Sequence, residues 1–128
     1  MSNAVLDASA LLALLKEEEG RGQVADLVAA GATISAVNLS EAAAKLSLAG
    51  MPDSLIRESL DPLDLEVVPF DTELAYRTAL LVAPTKGMGL SLGDRACLAL
   101  AAQLGLPAVT ADRAWAQLHL DVQIRVIR

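Results

Sequence analysis

Short apolar segments alternate with longer helical patterns along the whole chain, and this alternation constrains the fold more than any other feature. Strands are predicted at residues 4–6, 33–35, 65–68, 108–110 and 123–127. Helices are predicted at residues 9–16, 22–30, 37–49, 52–60, 71–82, 91–104 and 112–118. Strands separated by helices are typical of a mainly parallel sheet that is covered on both faces. The 128 residues contain no repeat or linker, so we expect one α/β domain spanning residues 1–128.

Four carboxylates follow predicted strands or lie in the first turns of predicted helices. Asp7 follows the first strand and Asp112 follows the fourth, while Glu41 and Asp94 lie near the starts of helices. Since the strand-to-helix junctions of a parallel sheet share one edge, we expect these acids to converge there. Converging carboxylates repel one another unless a hard cation such as Mg²⁺ or Mn²⁺ holds them together. The pattern therefore points to metal-assisted phosphodiester chemistry.

Each acid also has a purely structural explanation. Asp7 and Asp112 could cap the helices that follow them, and Asp94 lies three residues after Ser91, the spacing of a capping box. Glu41 could be an exposed residue of an amphipathic helix. Taken together, the apolar neighbours of Glu41 and Asp94 favour paired or metal-bound carboxylates.

The charge of the chain gives no positive evidence for a nucleic-acid partner. The net charge is −6, and it would become −2 if the four negative charges of the candidate ligands were neutralised. Acidity therefore does not exclude a nucleic-acid substrate, but binding would depend on the metal and on a few cations. The candidates are Lys45, Lys86, Arg95 and Arg113.

The remaining reactive side chains suggest no competing chemistry. Cys97 lies in an apolar run, so we expect a buried, inert thiol. His119 is the one histidine and is expected at the surface, which leaves no pair of histidines for metal-free RNA cleavage. Hydrolysis should then leave a 5′-phosphate and a 3′-hydroxyl. Trp115 could stack on a base, although core packing is the stronger expectation.

No segment has the length of a membrane span or the features of a signal peptide, and a single cysteine cannot form an intramolecular disulfide. We therefore expect a cytoplasmic protein.

The segments that carry the four acids resemble the motifs of PIN-domain ribonucleases, particularly the VapC-type toxins of bacterial toxin–antitoxin pairs. The first motif is VLDASALLALL at residues 5–15, and the second is SAVNLSE at residues 35–41. The third is SLGDRACLALA at residues 91–101, and the last is TADRAW at residues 110–115. Any one motif is weak evidence, but the ordered set covers essentially the whole chain.

The resemblance implies a three-layer α/β/α sandwich that cuts RNA at a Mg²⁺ or Mn²⁺ site. Asp7, Glu41 and Asp94 would bind the metal, with Asp112 as a fourth and less certain member. Ser9 and Thr110 occupy the family's hydroxyl positions, where they can bond a ligand carboxylate, a water or a phosphate. The resemblance also implies a cognate antitoxin and a homodimer.

Arg95 and Arg113 each follow an acid of the site directly. They could contact substrate phosphates or form surface ion pairs, and the sequence does not separate these alternatives.

Other functions remain open from the sequence. A phosphatase similar to the haloacid dehalogenases needs a second aspartate two residues after Asp7, where this chain has Ser9. A response-regulator receiver needs a lysine at the end of a later strand, where this chain has Thr110. A non-catalytic interaction domain is the third alternative, and the presence of all four acids argues against it.

Overall fold

The computed structural model describes residues 2–128, which form five strands and six α-helices. The strands are β1 Val5–Leu6, β2 Thr33–Ser35, β3 Glu66–Val68, β4 Ala108–Thr110 and β5 Ile124–Val126. The helices are α1 Ala8–Leu15, α2 Arg21–Ala30, α3 Ala36–Leu48, α4 Asp53–Leu60, α5 Thr72–Leu80 and α6 Leu92–Leu104. Two short 3₁₀ helices, Asp61–Leu63 and Arg113–Gln117, complete the described chain.

The five strands form one parallel sheet in the order β3-β2-β1-β4-β5. Val5 of β1 lies opposite Thr33 of β2 on one side and Ala108 of β4 on the other. In chain order, β2 and β3 extend the sheet on one side of β1, and β4 and β5 then extend it on the other side. The direction in which strands are added therefore reverses between β1 and β4. Ligands of open parallel sheets bind beyond the carboxyl ends of the strands at such a reversal. Asp7 and Asp112 follow these two strands.

Helices cover both faces of the sheet and give the predicted three-layer α/β/α sandwich. Successive side chains of a strand point to opposite faces. Leu6 and Val109 pack with Val24 of α2 in one core cluster, while Val5 and Ala108 pack with Leu98 of α6 in another. A third cluster joins α1, α3 and α4 around Ile34 of β2. The expected α/β sandwich is therefore confirmed, and the sheet is parallel throughout residues 2–128.

Short polar side chains begin several of the helices. Asp7, Ser35, Asp71 and Ser91 each accept a hydrogen bond from a backbone N–H in the first turn of the helix they precede. The predicted boundaries differ from those observed by one or two residues at most ends. One predicted α-helix, residues 112–118, is instead a 3₁₀ helix that begins after Asp112. Each helix in residues 2–128 is too short or too polar to span a bilayer.

Candidate metal-binding active site

Asp7 is the most firmly held of the four acids. It follows β1, it is 4% exposed, and it caps the first turn of α1. Its Oδ1 accepts from the Ser9 hydroxyl at 2.7 Å and from the Ala10 N–H at 2.8 Å. Its Oδ2 accepts from the hydroxyl of Thr110, at the end of β4. These bonds fix the carboxylate between the ends of β1 and β4.

Burial makes the charge of Asp7 unfavourable. Desolvation is the largest influence, and it raises the pKa of Asp7 above its ordinary value of 3.8. The hydrogen bonds from Thr110, Ala10 and Ser9 act in the opposite direction, and the nearby charge of Asp94 raises the pKa further. A cation beside Asp7 would offset both the desolvation and the repulsion.

The two hydroxyl residues join the ends of β1 and β4. Thr110 Oγ1 donates to Asp7 and accepts from the Asp112 N–H at 3.0 Å. Ser9 Oγ donates to Asp7 and accepts from the Ala111 N–H at 2.9 Å. Both hydroxyls therefore bond a carboxylate directly, which is one of the roles expected from the resemblance.

Glu41 is held from two sides. It lies in α3 and is half-buried. Asn38, one turn earlier, donates from Nδ2 to Glu41 Oε1 at 2.9 Å, and the same nitrogen donates to the Gly93 carbonyl oxygen at 3.0 Å. Gly93 lies directly against the Glu41 carboxylate, and a Cβ atom on Gly93 would overlap it. The alternative of an exposed amphipathic-helix residue therefore does not describe Glu41.

Asp94 and Asp112 do form the capping bonds that the sequence suggested. Asp94 Oδ2 accepts from the Ser91 N–H at 2.9 Å, while Ser91 Oγ accepts from the Asp94 N–H at 3.1 Å, which completes a capping box. Asp112 Oδ1 accepts from the Ala114 N–H at 3.0 Å. Capping does not exclude a second role, because each of these bonds occupies one carboxylate oxygen and leaves the other.

All four acids line one surface cavity of about 240 Å³. Its other lining residues are Ala8, Ser9, Lys45 and Ser91. Among the described residues, three cavities elsewhere are larger, about 280, 300 and 310 Å³, but none of them is lined by these acids. In the present side-chain conformations, no group of three or more Asp, Glu, His or Cys residues within 2–128 is arranged to hold a metal ion. The fold therefore brings the acids to one cavity, and joint coordination would require side-chain rotation.

The remaining candidates do not line this cavity. Trp115 is fully buried in the core cluster of Val5 and Leu98, so it packs and does not offer a stacking surface. Cys97 is also fully buried, and desolvation raises the pKa of its thiol well above the ordinary value. His119 is exposed, as predicted.

The two arginines that follow site acids do not line the cavity. Arg95 Nη1 donates to the Leu90 carbonyl oxygen at 2.9 Å, and Arg113 is exposed. In the part of the chain that the structure describes, neither forms an ion pair, and neither lines the cavity. Phosphate contact by either side chain therefore stays a prediction.

A family model of the PIN domain matches residues 4–119. This chain belongs to the PIN domain family. Its fold is similar to that of DNA-bound VapBC from Salmonella typhimurium, at 21% identity and a TM-score of 0.78, with 100% of each chain covered. VapC20 of Mycobacterium tuberculosis, a toxin that cleaves the sarcin–ricin loop, is 17% identical with a TM-score of 0.72, over 94% of this chain and 99% of that one.

VapBC-5 of Mycobacterium tuberculosis, a member of the VapBC family of toxin–antitoxin systems, is 24% identical with a TM-score of 0.60. The match covers 100% of this chain and 99% of that chain. At these identities the likeness establishes the fold. No curated protein sequence is similar to this PIN domain at a significant level.

The chemistry of the cavity fits a hard divalent cation. The acids offer only oxygen donors, which Mg²⁺ and Mn²⁺ prefer over nitrogen and sulfur. Within residues 2–128, one carboxylate oxygen of each of Glu41, Asp94 and Asp112 has no hydrogen-bond donor in the protein. Asp7 is already fixed by its own donors. In this PIN domain a metal would be held by these acids, with Asp7 as the fixed ligand.

Asn38 and Gly93, which hold Glu41, were not predicted from the sequence as site residues. Lys45, one of the cations expected from the sequence to help bind a nucleic acid, lines the cavity. Asn38 lies three residues before Glu41, so helical spacing indicates that the two side chains are neighbours. Its second partner is 55 residues away, and no local pattern of the sequence reveals that contact.

Proposed function

We propose that this PIN domain is a Mg²⁺- or Mn²⁺-dependent endoribonuclease that acts as the toxin of a toxin–antitoxin pair. The observation that carries the proposal is the cavity where the strand order reverses. It is lined by four carboxylates, one of them buried and fixed by three donors. Helix caps alone would also lie along this edge of the sheet, but Glu41 caps no helix, and Asn38 and Gly93 still hold its carboxylate at the cavity.

The protein's own residues define what the site can do. A bound divalent ion supplies Lewis-acid activation of water and of the phosphodiester. Asp7, Glu41, Asp94 and Asp112 would hold and orient that ion. Among the described residues that line the cavity, Lys45 is the one with a basic side chain, and it offers a positive charge to a substrate phosphate. Since His119 is exposed and does not line the cavity, hydrolysis to a 5′-phosphate and a 3′-hydroxyl is the expected outcome.

We also propose two protein partners. VapBC-5 belongs to a family of toxin–antitoxin systems, which supports an antitoxin for this chain as well. An antitoxin segment that presents Arg or Lys would be complementary to the acidic cavity. Tyr76 and Leu80, which lie one turn apart on α5, are 69% and 76% exposed, and apolar groups exposed together favour a homodimer.

The first experiment measures cleavage of single-stranded RNA with Mg²⁺, with Mn²⁺ and with excess EDTA. Asp94→Asn should lower the rate by on the order of 10²-fold or more, because the metal loses a charged ligand. Asp71→Asn is a matched control, because Asp71 caps α5 and lies outside the cavity. Full activity in excess EDTA, or an Asp94→Asn variant as active as the wild type, would refute the proposal.

A second experiment identifies the products and the class of enzyme. RNA ends are sequenced after induction of the protein in a bacterial host, beside an Asp7→Asn control. Purified protein is also assayed on p-nitrophenyl phosphate. Turnover of that ester without RNA cleavage would indicate a phosphatase, and absence of both activities would favour a non-catalytic PIN domain.

A further inference from the structure

The buried amide of Asn38 joins two acid-bearing helices. Asn38 is 1% exposed, and its Nδ2 donates to Glu41 Oε1 in α3 and to the Gly93 carbonyl oxygen in α6. Gly93 directly precedes Asp94 in the chain. One side-chain nitrogen therefore links the Glu41 carboxylate to the turn of α6 that carries Asp94.

The missing side chain of Gly93 provides the space for that carboxylate. A Cβ atom at Gly93 would overlap both oxygens of Glu41. Gly22 is a useful comparison, since it also occupies the second position of its helix, but a Cβ placed there would have no atom of another described residue within 4 Å outside its own helix turn. The requirement for glycine at position 93 thus comes from Glu41 and not from the helix.

The atoms that a new Cβ would meet belong to the end of a flexible side chain and not to the backbone. A methyl group at position 93 can therefore be accommodated by rotation of Glu41, with little effect on the packing of α3 against α6. Such a rotation would move the carboxylate away from Asn38 and alter its position relative to Asp94. We therefore expect a substitution at Gly93 to displace the Glu41 carboxylate more than it destabilises the fold.

We propose that Asn38 and Gly93 are positioning residues that together form a seat for the Glu41 carboxylate and thereby set the affinity of the site for divalent metal. The inference rests on the proposed function, since it takes the acidic cavity to be a metal site. Asn38 orients the carboxylate by donation to Oε1, while Gly93 leaves the volume in which it lies. The other oxygen, Oε2, is left for the ion. Hydrogen-bonding partners of metal ligands typically change metal affinity by about 10- to 100-fold when they are removed.

The test measures binding of Mn²⁺ to the full chain, by electron paramagnetic resonance of the free ion, together with the melting temperature without metal. Gly93→Ala should bind Mn²⁺ about 10- to 100-fold more weakly than the wild type, with a nearly unchanged melting temperature. Gly22→Ala, the matched helix substitution, should bind Mn²⁺ like the wild type.

A double-mutant cycle tests Asn38. Asn38→Ala should weaken Mn²⁺ binding in the wild-type background and have no further effect in a Glu41→Ala background, because it acts through Glu41. A residue that only ties α3 to α6 would instead change the melting temperature without this dependence on Glu41.

The outcomes separate this inference from the proposed function. If the wild type binds Mn²⁺ and both Gly93→Ala and Asn38→Ala retain its affinity, the positioning role of Asn38 and Gly93 is refuted, while the proposal of a metal site stands. If Asn38→Ala lowers the Mn²⁺ affinity equally in the wild-type and Glu41→Ala backgrounds, the positioning role of Asn38 is also refuted. If the wild type shows no Mn²⁺ binding, both proposals fail.

Discussion

Asp7→Asn separates the charge of Asp7 from its capping role. Asparagine keeps an oxygen that can accept from the Ala10 N–H and the Ser9 hydroxyl, as Asp7 Oδ1 does. The Thr110 hydroxyl can rotate to accept from the new amide. Since burial raises the pKa of Asp7, the ionised carboxylate destabilises the metal-free fold near neutral pH. The metal-free variant should therefore melt at a higher temperature than the wild type.

The pH dependence has a definite sign. Below the ordinary pKa of 3.8, Asp7 is protonated in both the folded and the unfolded chain, so it contributes no pH-dependent difference. As the pH rises above 3.8, the unfolded chain releases the proton first, and the wild type loses stability until the folded pKa is passed. The gain in melting temperature of metal-free Asp7→Asn over the wild type should be absent at a pH below 3.8 and largest near neutral pH.

The rise in melting temperature that Mn²⁺ produces should be smaller for Asp7→Asn than for the wild type. At about 100 times the dissociation constant, a ligand that binds only the native state stabilises it by about 2.7 kcal/mol. An unfolding entropy of about 2.1 cal/mol/K per residue gives about 270 cal/mol/K for 128 residues, and hence a rise of about 10 °C in melting temperature. If Asp7→Asn weakens binding about 10-fold, the same Mn²⁺ concentration gives about 1.4 kcal/mol, or about 5 °C.

Thermal scans of both proteins with and without Mn²⁺ make the measurement, and Asp71→Asn serves as the control. Asp71 also caps a helix, with Oδ1 accepting from the Leu74 N–H at 2.9 Å, and it lies outside the acidic cavity. The control should keep the wild-type response to Mn²⁺. Equal, negligible shifts in all three proteins would mean that Asp7 is only a cap and that the cavity is not a metal site.

Three further predictions follow from burial and exposure. Trp115→Ala should lower the free energy of unfolding by about 3–5 kcal/mol in urea titrations, because the ring is fully buried, and a loss below about 1 kcal/mol would contradict that packing. Cys97 should react with a thiol reagent only when the chain unfolds, since it is fully buried and the pKa of its thiol is raised; rapid labelling of the native protein would disprove this. Light scattering should show a dimer at micromolar concentration that Leu80→Glu dissociates, while a monomeric wild type would refute the proposed homodimer.

Local patterns in the sequence determined the secondary structure and the positions of the acids along it. Residues 33–35 and 108–110 were predicted as strands and form β2 and β4. Capping was equally visible, because a short polar side chain bonds an N–H only two or three residues away. The exact start of a helix is less well predicted. Pro52 was expected to be the first residue of α4, but it precedes α4 as the N-cap.

The last predicted helix shows a second limit. Residues 112–118 were expected to be α-helical but contain a 3₁₀ helix over Arg113–Gln117, with Trp115 inserted into the core. Burial of that ring depends on α6 and β1, which are distant in sequence. Tertiary packing therefore overrode a weak local preference in this short segment.

The sequence alone thus determined an α/β domain with its acids at helix starts, because alternation and capping depend on residues within a few positions of one another. Only the tertiary structure decided the order β3-β2-β1-β4-β5, which places the ends of β1 and β4 side by side. That order lets Thr110 reach Asp7 across 103 residues, and the packing of α3 on α6 brings Asn38 to Gly93 across 55. Such contacts depend on how complete elements pack, and no short window of the chain contains both partners.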